Sequence, residues 1–440
     1  MYKAETVARV CGGKLIGSGD TTAPRVVTDS RKIKKNDMFI AISGENFDGN
    51  TFAASAAEKG AAFMVLSRED ALPEGSTGII VADTRDALLR IASYHRDECN
   101  VKVVGVTGSV GKTTTKDMIA CALSARFKTH KTQGNFNNDI GMPLTLLDIE
   151  DDDRAAVIEM GMSSRGEISR LTRAAKPDVA VITNIGMSHI EHLKTRENIL
   201  AAKLEILEGL KEGGTVILNA DDEYLSRVSG LPFKTMYFGI DHECDVHGRV
   251  ISDNTVEVLG QRITLAVAGR HNLLNACCAM AAAASLGIDA QTAAKGIMEF
   301  KTDDIRQNAV KSPRGFTVIR DYYNASPQSV SVALRMLGKK DGRKIAVLGD
   351  MLELGDFSEQ CHKDAGREAA LFGIDILFTY GNEMKAAHQE ALKHNLEAVH
   401  FENKNDLSEY LLKVLREGDT VLIKGSHGMK MEDIYEKIMG

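Results

Sequence analysis

Residues 101–123 read VKVVGVTGSVGKTTTKDMIACAL. Four valines (Val101, Val103, Val104, Val106) give way to a glycine-rich turn that ends Gly111-Lys112-Thr113. From Thr114 onward Met118, Ile119, Ala122 and Leu123 recur at helical spacing. The order is strand, loop, helix. Such a loop suits a triphosphate: glycines let backbone N–H groups turn inward around an anion, and the helix N-terminus adds its positive end. Lys112 supplies a mobile cation and Thr113 a hydroxyl for Mg2+. The strict pattern G-x-x-x-x-G-K-[ST] calls for glycine at position 106, where this chain carries Val106; its glycines are Gly105, Gly108 and Gly111. Lys-Thr directly after the last glycine, with valines before the first, favours nucleotide binding over a plain turn.

At 440 residues the chain exceeds what one core supports, so two or three domains are expected. Lysine and arginine number 54 against 61 acidic residues, a formal charge of -7, and no basic run interleaves with aromatics. Nucleic acid is therefore not an expected partner, and a small molecule is. The sequence has no signal-like apolar N-terminal core and no apolar run of membrane-spanning length, so the expectation is a cytoplasmic protein without membrane insertion. Seven scattered cysteines without C-x-x-C spacing read as reduced thiols, not disulfides or a zinc site.

Residues 1–83 form a mixed segment with strands at 25–27, 38–42, 63–66 and 78–81 and a helix at 52–59 closed by Gly60. On spacing alone, Thr28-Asp29-Ser30-Arg31 and Gly44-Glu45-Asn46-Phe47-Asp48-Gly49 are ordinary turns. A helix at 84–96 leads into the phosphate-loop strand, and buried strands at 155–158, 179–183 and 215–218 follow in alternation with helices, the pattern of a parallel sheet. Ligands of such sheets sit at the carboxyl ends of strands. That singles out Glu159-Met160-Gly161, the stretch from Asn184 to His189, and Asn219-Ala220-Asp221-Asp222. Between phosphate loop and Glu159 lies an asparagine-rich loop with Asn135, Asn137 and Asn138, whose amides can bind neutral peptide or sugar groups. A helix at 197–210 carries Lys203, which by pattern is a snorkelling surface lysine. After a β-rich stretch at 237–267 comes Gly269-Arg270-His271-Asn272 and an alanine-rich helix to 286, with Asn272 and Asn275 sharing one face, placed to meet an adenine edge or to cap the helix. From residue 304 strands recur at 317–319, 344–348, 374–379, 398–401 and 420–423, a second open α/β unit without a phosphate loop.

Together these motifs resemble the Mur ligase family of ATP-dependent amide-bond-forming enzymes. Residues 107–114, TGSVGKTT, are similar to its phosphate loop, and Glu159-Met160-Gly161, the stretch from Asn184 to His189, Gly269-Arg270-His271-Asn272 and residues 321–327 (DYYNASP) are similar to its other signatures. Thr132-x-Gly134-Asn135-x-Asn137-Asn138-x-Ile140-Gly141-x-Pro143, residues 349–355 (GDMLELG) and Lys424-Gly425-Ser426 resemble the branch that joins D-alanyl-D-alanine to UDP-N-acetylmuramoyl-tripeptide. The sibling that adds the third residue carries Asp-Asn-Pro-Arg in its last domain, which is absent here. The folylpolyglutamate synthetase branch lacks the N-terminal domain.

The resemblance implies three domains: a small mixed α/β domain (1–83) for the UDP-sugar-peptide, a central ATPase domain with a P-loop parallel sheet (84–303), and a C-terminal Rossmann-like α/β domain (304–440). It implies ATP bound by Gly108, Ser109, Val110, Gly111, Lys112, Thr113 and Thr114, with Asn272 and Asn275 facing adenine and Arg306 and Asp321 reaching in from the last domain. Two Mg2+ ions fall to Thr113, Glu159 and His189, and to Lys203 in the carbamylated form common in the family. Lys112, Lys203 and His189 form the implied catalytic set. Ser30, Arg31, Asn46, Phe47, Asp48 and Gly49 then become uridine-nucleotide turns, overturning their reading as ordinary turns, and Asn135, Asn137, Asn138, Tyr323 and Asn324 meet substrate. The chain departs from the family at Ser326, where asparagine is usual, at Gln307, where methionine or leucine usually follows Arg306, and at His427, where arginine follows Lys-Gly-Ser. The expected activity is ligation through an acyl phosphate, by a monomer. Two other classes, a nucleotide-gated binding protein and a P-loop hydrolase or kinase, are separated from it by whether phosphate release needs both substrates.

Overall fold

The computed structural model describes residues 1–44, 47–301 and 308–440. Asn46, Arg306 and Gln307 therefore lie outside the described residues. The chain builds three larger sheets in succession, plus a two-stranded one in which Tyr2–Lys3 pairs with Thr22–Ala23. The first sheet has five short strands, in the order Lys14–Ile16, Gly78–Ile80, Phe63–Leu66, Met38–Ile40, Val26–Val27. All its members but the antiparallel Lys14–Ile16 run parallel. The expected helix near 52–59 opens as a 3-10 turn, Gly49–Phe52, and becomes α-helical over Ala53–Glu58.

Helix Thr84–Glu98 joins the first sheet to the second. Asp83 starts it by accepting from the N–H groups of Arg85 (2.7 Å) and Asp86 (3.2 Å). Its Leu88 and Ile91 belong to the first core, while Leu89 and Ala92 face the next. His95 completes the junction: the hydroxyl of Tyr2 lies 3.1 Å from Nδ1, and Nε2 is 3.1 Å from the carbonyl of Ile149.

The central sheet has nine strands, and Lys102–Thr107 lies inside it, between Ala155–Glu159 and Val179–Ile182. Thr215–Asn219, Lys234–Gly239 and Val246–Ser252 continue in parallel on one side, Thr129–Lys131 closes the other, and Thr255–Val258 and Gln261–Thr264 extend the first side as an antiparallel meander. Successive connections leave Lys102–Thr107 toward opposite edges, which makes its carboxyl end the switch point where parallel sheets open a binding crevice. Helices Lys112–Ser124 and Arg270–Ser285 cover one face with small and apolar residues such as Met118, Leu123, Ala276 and Ala279. The amphipathic segment around Lys203 is not one helix to 210. It is an α-helix over Arg196–Leu204 followed by a 3-10 segment, Glu205–Gly209, because Gly209 passes the carbonyl of Thr172 so closely that a Cβ would sit 2.1 Å from its oxygen.

The third sheet orders its strands Asn308–Lys311, Thr317–Arg320, Thr420–Lys424, Lys344–Gly349, Ile376–Tyr380, Glu397–Phe401, parallel except for the first hairpin. All seven cysteines are free. Among the described residues no helix is long and apolar enough to cross a membrane.

Candidate active site

The phosphate loop is built by exclusion as much as by contact. Gly108 sits at φ 152°, and a Cβ there would lie 1.9 Å from Oγ1 of Thr183, so only glycine lets the loop lie against the neighbouring strand end. Asn184, one residue further, braces the turn: its Oδ1 accepts from the N–H of Val110 (2.9 Å) and its Nδ2 donates to the carbonyl of Val110 (2.8 Å). Thr183 Oγ1 donates to the same carbonyl (2.8 Å), and the N–H of Gly186 donates to Ser109 Oγ (2.8 Å). Lys112 Nζ folds back on the loop, donating to the carbonyls of Gly108 (2.9 Å) and Ser109 (3.4 Å).

A cavity of about 490 Å³ opens over this loop, and both parallel sheets line it. The central sheet contributes Ser109 through Thr114, Asn137, Asn138, Glu159, His189, Asn272 and Asn275. The C-terminal sheet contributes Asp321, Tyr323, Asn324 and Lys424. Lys424 Nζ is buried and donates to Asp321 Oδ2 (2.8 Å) and to the carbonyls of Asn324 (2.9 Å) and Asp321 (3.4 Å), tying two strand ends together. Ser326 explains its own departure: its Oγ accepts from the N–H of Ser329 (3.4 Å) and Ser329 Oγ accepts from the N–H of Ser326 (2.9 Å), a reciprocal cap for helix Pro327–Gly338. Tyr323 and His427 stack side by side, ring centroids 6.0 Å apart. Asn272 and Asn275 are committed in part: Asn272 Nδ2 holds the carbonyl of Ala268 (3.0 Å), and Asn275 Oδ1 accepts from Thr115 Oγ1 (3.1 Å).

Lys203 is not a surface lysine. It is 2 % exposed, and burial, with the charge of Lys112 adding to it, pushes its ammonium well below the usual lysine range. It lies beneath the site and does not line the cavity.

The donor set suits Mg2+. Glu159, 2 % exposed, uses Oε1 to accept from Asn137 Nδ2 (2.8 Å), while its buried Oε2 has no hydrogen-bond partner among the described residues, a costly arrangement unless a cation or donor meets it. Thr113 and His189 border the same space. Among the described residues no three His, Cys, Asp or Glu side chains are grouped to hold a metal unaided. A hard cation here would therefore draw on one carboxylate, a hydroxyl, an imidazole and phosphate oxygens, in keeping with Mg2+ in nucleotide sites. His189 donates from Nδ1 to Oε2 of Glu353, a residue of the C-terminal sheet's 349–355 loop, and this contact holds the carboxyl of Glu353 below its usual range.

None of the described residues of the N-terminal turns lines the cavity. Arg31 is exposed and pairs with Asp29 (2.9 Å), which caps the turn at Ser30–Lys32. Asp48 starts the Gly49–Phe52 turn, accepting from Asn50 N–H (2.9 Å) and Ser43 Oγ (2.9 Å), and Phe47 is 55 % exposed beside it. Asn135 is exposed and outside the cavity. Asn184, Lys424 and Glu353 entered the sequence reading only as members of longer motifs, and nothing in their spacing marks them individually.

Residues 25–96 match the model described as Mur ligase family, catalytic domain, residues 106–283 the Mur ligase middle domain and residues 305–427 the Mur ligase, glutamate ligase domain. The UDP-N-acetylmuramoyl-tripeptide--D-alanyl-D-alanine ligase of Bacillus subtilis is 41 % identical over 423 residues, covering 94 % of this chain and 93 % of that protein. The enzyme of the same name from Escherichia coli is 33 % identical over 449 residues, 98 % and 96 % of the two chains. A crystal structure of MurF from Acinetobacter baumannii superposes with a TM-score of 0.91 at 31 % identity, covering 100 % of this chain and 98 % of that one. MurF ligase from Thermotoga maritima in complex with ADP superposes at 0.83 and 27 % identity, covering 95 % and 97 %. With its phosphate loop, its second sheet closing the same cavity and family matches along most of its length, this chain belongs to the Mur ligase family.

Proposed function

We propose that the chain is the ATP-dependent ligase that joins D-alanyl-D-alanine to UDP-N-acetylmuramoyl-tripeptide in peptidoglycan precursor synthesis. The observation that carries this reading is the single cavity in which a phosphate loop from one sheet faces polar strand ends from another; the relatives' shared name and the ADP complex of one of them point the same way.

A carboxylate is a poor electrophile, so the tripeptide's terminal carboxylate attacks the γ-phosphorus of ATP, giving an acyl phosphate and ADP. The neutral amine of the dipeptide then adds to the acyl carbon, phosphate departs with the C–O bond electrons, and the amine's proton is lost to water or base. Lys112 leaves its loop carbonyls for the transferring phosphoryl group, and the loop N–H groups hold the neighbouring phosphates. Thr113, Glu159 and His189 would hold Mg2+, which would supply Lewis-acid neutralisation of the phosphoryl oxygens. Asn272, Asn275, Asp321 and Arg306 orient the nucleotide. Asn135, Asn137, Asn138, Tyr323 and Asn324 orient the peptide, and Ser30, Arg31, Asn46, Phe47, Asp48 and Gly49 the uridine nucleotide. Lys203, whose protonation burial disfavours, would add as its free amine to CO2 with release of one proton, and the carbamate would put in place of a disfavoured buried cation an anion able to serve a second Mg2+. We place the domain boundaries near residues 83 and 303, and the enzyme in the cytoplasm as a monomer.

The test is phosphate release from ATP with UDP-N-acetylmuramoyl-tripeptide, with and without D-alanyl-D-alanine. Release that requires both substrates supports the ligase; release without the dipeptide marks a hydrolase or kinase, and none with both present a binding protein. For Lys203, the Lys203→Ala variant is expected to lose about a hundredfold in rate, with part regained on adding formate or acetate.

A further inference from the structure

His189 and Glu353 come from different sheets, 164 residues apart, and both sit in the left-handed backbone region, at φ 62° and φ 61°. Glutamate rarely adopts that conformation, histidine does so more often but still in a minority of cases, and it persists where surroundings impose it. The two strained residues pair through their side chains. A second bond fixes the same meeting point, from the N–H of Glu191 to the carbonyl of Glu353 (3.2 Å), and Gly355 passes so close that a Cβ would lie 3.2 Å from Glu191. A half-exposed ion pair contributes little stability by itself, so stability does not account for strain on both sides.

The direction of the bond is informative. An ionised carboxylate only accepts, so the proton of the contact sits on Nδ1 of His189. In the neutral ring Nε2 then carries the lone pair, and no other described residue hydrogen-bonds it. A histidine that ligates a metal characteristically donates its other ring N–H to a carboxylate, which fixes tautomer and ring orientation and raises basicity.

We propose that Glu353 is the positioning residue for His189: carried on the C-terminal sheet, it sets the Nδ1–H tautomer and leaves Nε2 as the ligand for a divalent cation at the phosphate loop. This rests on the reading of His189 as a metal ligand. It adds that the central sheet's metal site is complete only while the 349–355 loop is docked on it, so the arrangement of the two sheets and cation affinity are coupled.

The test uses the full chain with ADP, and Mn2+ as the probe, its free concentration read by electron paramagnetic resonance. Five proteins are compared: wild type, Glu353→Met, which keeps length but removes the acceptor, Glu353→Gln, which restores an acceptor oxygen, His189→Asn, asparagine being tolerant of the left-handed region, and the double variant Glu353→Met/His189→Asn. Glu353→Met is expected to weaken Mn2+ binding about tenfold with metal-free ADP binding unchanged, Glu353→Gln to recover most of that loss, and Glu353→Met/His189→Asn to bind no more weakly than His189→Asn alone. In the metal-free wild type, 15N spectra of labelled histidine should show His189 as the Nδ1–H tautomer, and Glu353→Met should shift it toward a mixture. Unchanged Mn2+ affinity in Glu353→Met, with affinity lost in His189→Asn, overturns the role of Glu353 and leaves the metal reading standing. Unchanged affinity in His189→Asn overturns the metal reading itself.

Discussion

The loop after Lys102–Thr107 and the loop after Lys344–Gly349 occupy comparable places, each following an interior strand of a parallel sheet, yet they are held by opposite chemistry. Apart from its own Lys112, the phosphate loop is braced by neutral groups: the amide of Asn184 and the hydroxyls of Thr183 and Ser109. Strand ends of the C-terminal sheet are braced by ionisable groups. Asp350 accepts from the N–H of Met384 (2.8 Å), His362 accepts at Nε2 from the N–H of Met351 (3.0 Å), and Lys424 pairs with Asp321. A loop that must receive a triphosphate gains from supports that add no charge of their own, whereas the second sheet, with no anion to hold, can use charge to fix its shape. Topology is shared; the strand-end residues divide the labour.

Two lysines line the cavity, and the comparison assigns them different jobs. Lys112→Ala should reduce ligation-dependent phosphate release about a thousandfold, the upper range for removing a preorganised charge partner, with circular dichroism and melting unchanged. Substantial residual release would refute the phosphate-loop assignment. Lys424→Met should do the converse to stability, about 3 kcal/mol lost in denaturant unfolding, because Asp321 is left as a largely buried unpaired carboxylate. A Lys424→Met protein as stable as wild type would show that charge does not brace the second sheet. Smaller in effect is Asn184→Ala, which removes both side-chain bonds to Val110: the KM for ATP should rise about thirtyfold, from two hydrogen bonds at about 1 kcal/mol each in a partly buried loop, with the same factor at pH 6 and pH 8.

The phosphate loop was legible because its determinants are local: glycines, Lys112 and Thr113 are neighbours, and the valines and helical spacing around them name the flanking elements. Both large sheets were legible for the same reason, since buried parallel strands read as short apolar runs. What escaped depends on contacts distant in sequence. Asn184 braces a loop 74 residues earlier, and no spacing rule reaches that far. Lys203 occupies a helix whose pattern permits either face to be buried, and only the packing of Arg196–Leu204 beneath the central sheet puts its ammonium inside. The strands Tyr2–Lys3 and Thr22–Ala23 are two residues each, too short to carry a period.

Acidity separates the two loops most finely. His362 is fully buried, with Nδ1–H donating to the carbonyl of Ser358 (2.7 Å) while Nε2 takes the Met351 N–H, so the native ring is neutral. Burial lowers its pKa below the ordinary 6.5, outweighing the opposing pull of the Ser358 carbonyl and of Asp350. The unfolded chain then binds more protons than the native one once pH falls below about 6.5, and stability declines in that direction. The slope approaches about 1.4 kcal/mol per pH unit for one such group. His95 at the N-terminal junction and His388 and His400 in the C-terminal unit, also lowered by burial, contribute with the same sign, so the wild-type slope includes all four. His362→Gln keeps hydrogen-bonding capacity but cannot take the proton. Its melting temperature, lower than wild type at pH 7.5, should fall less between pH 7.5 and 5.5, by the share that His362 contributes. A slope identical to wild type would place the acid sensitivity outside the 349–355 loop and dissolve the contrast between neutral and ionisable bracing at its most direct point.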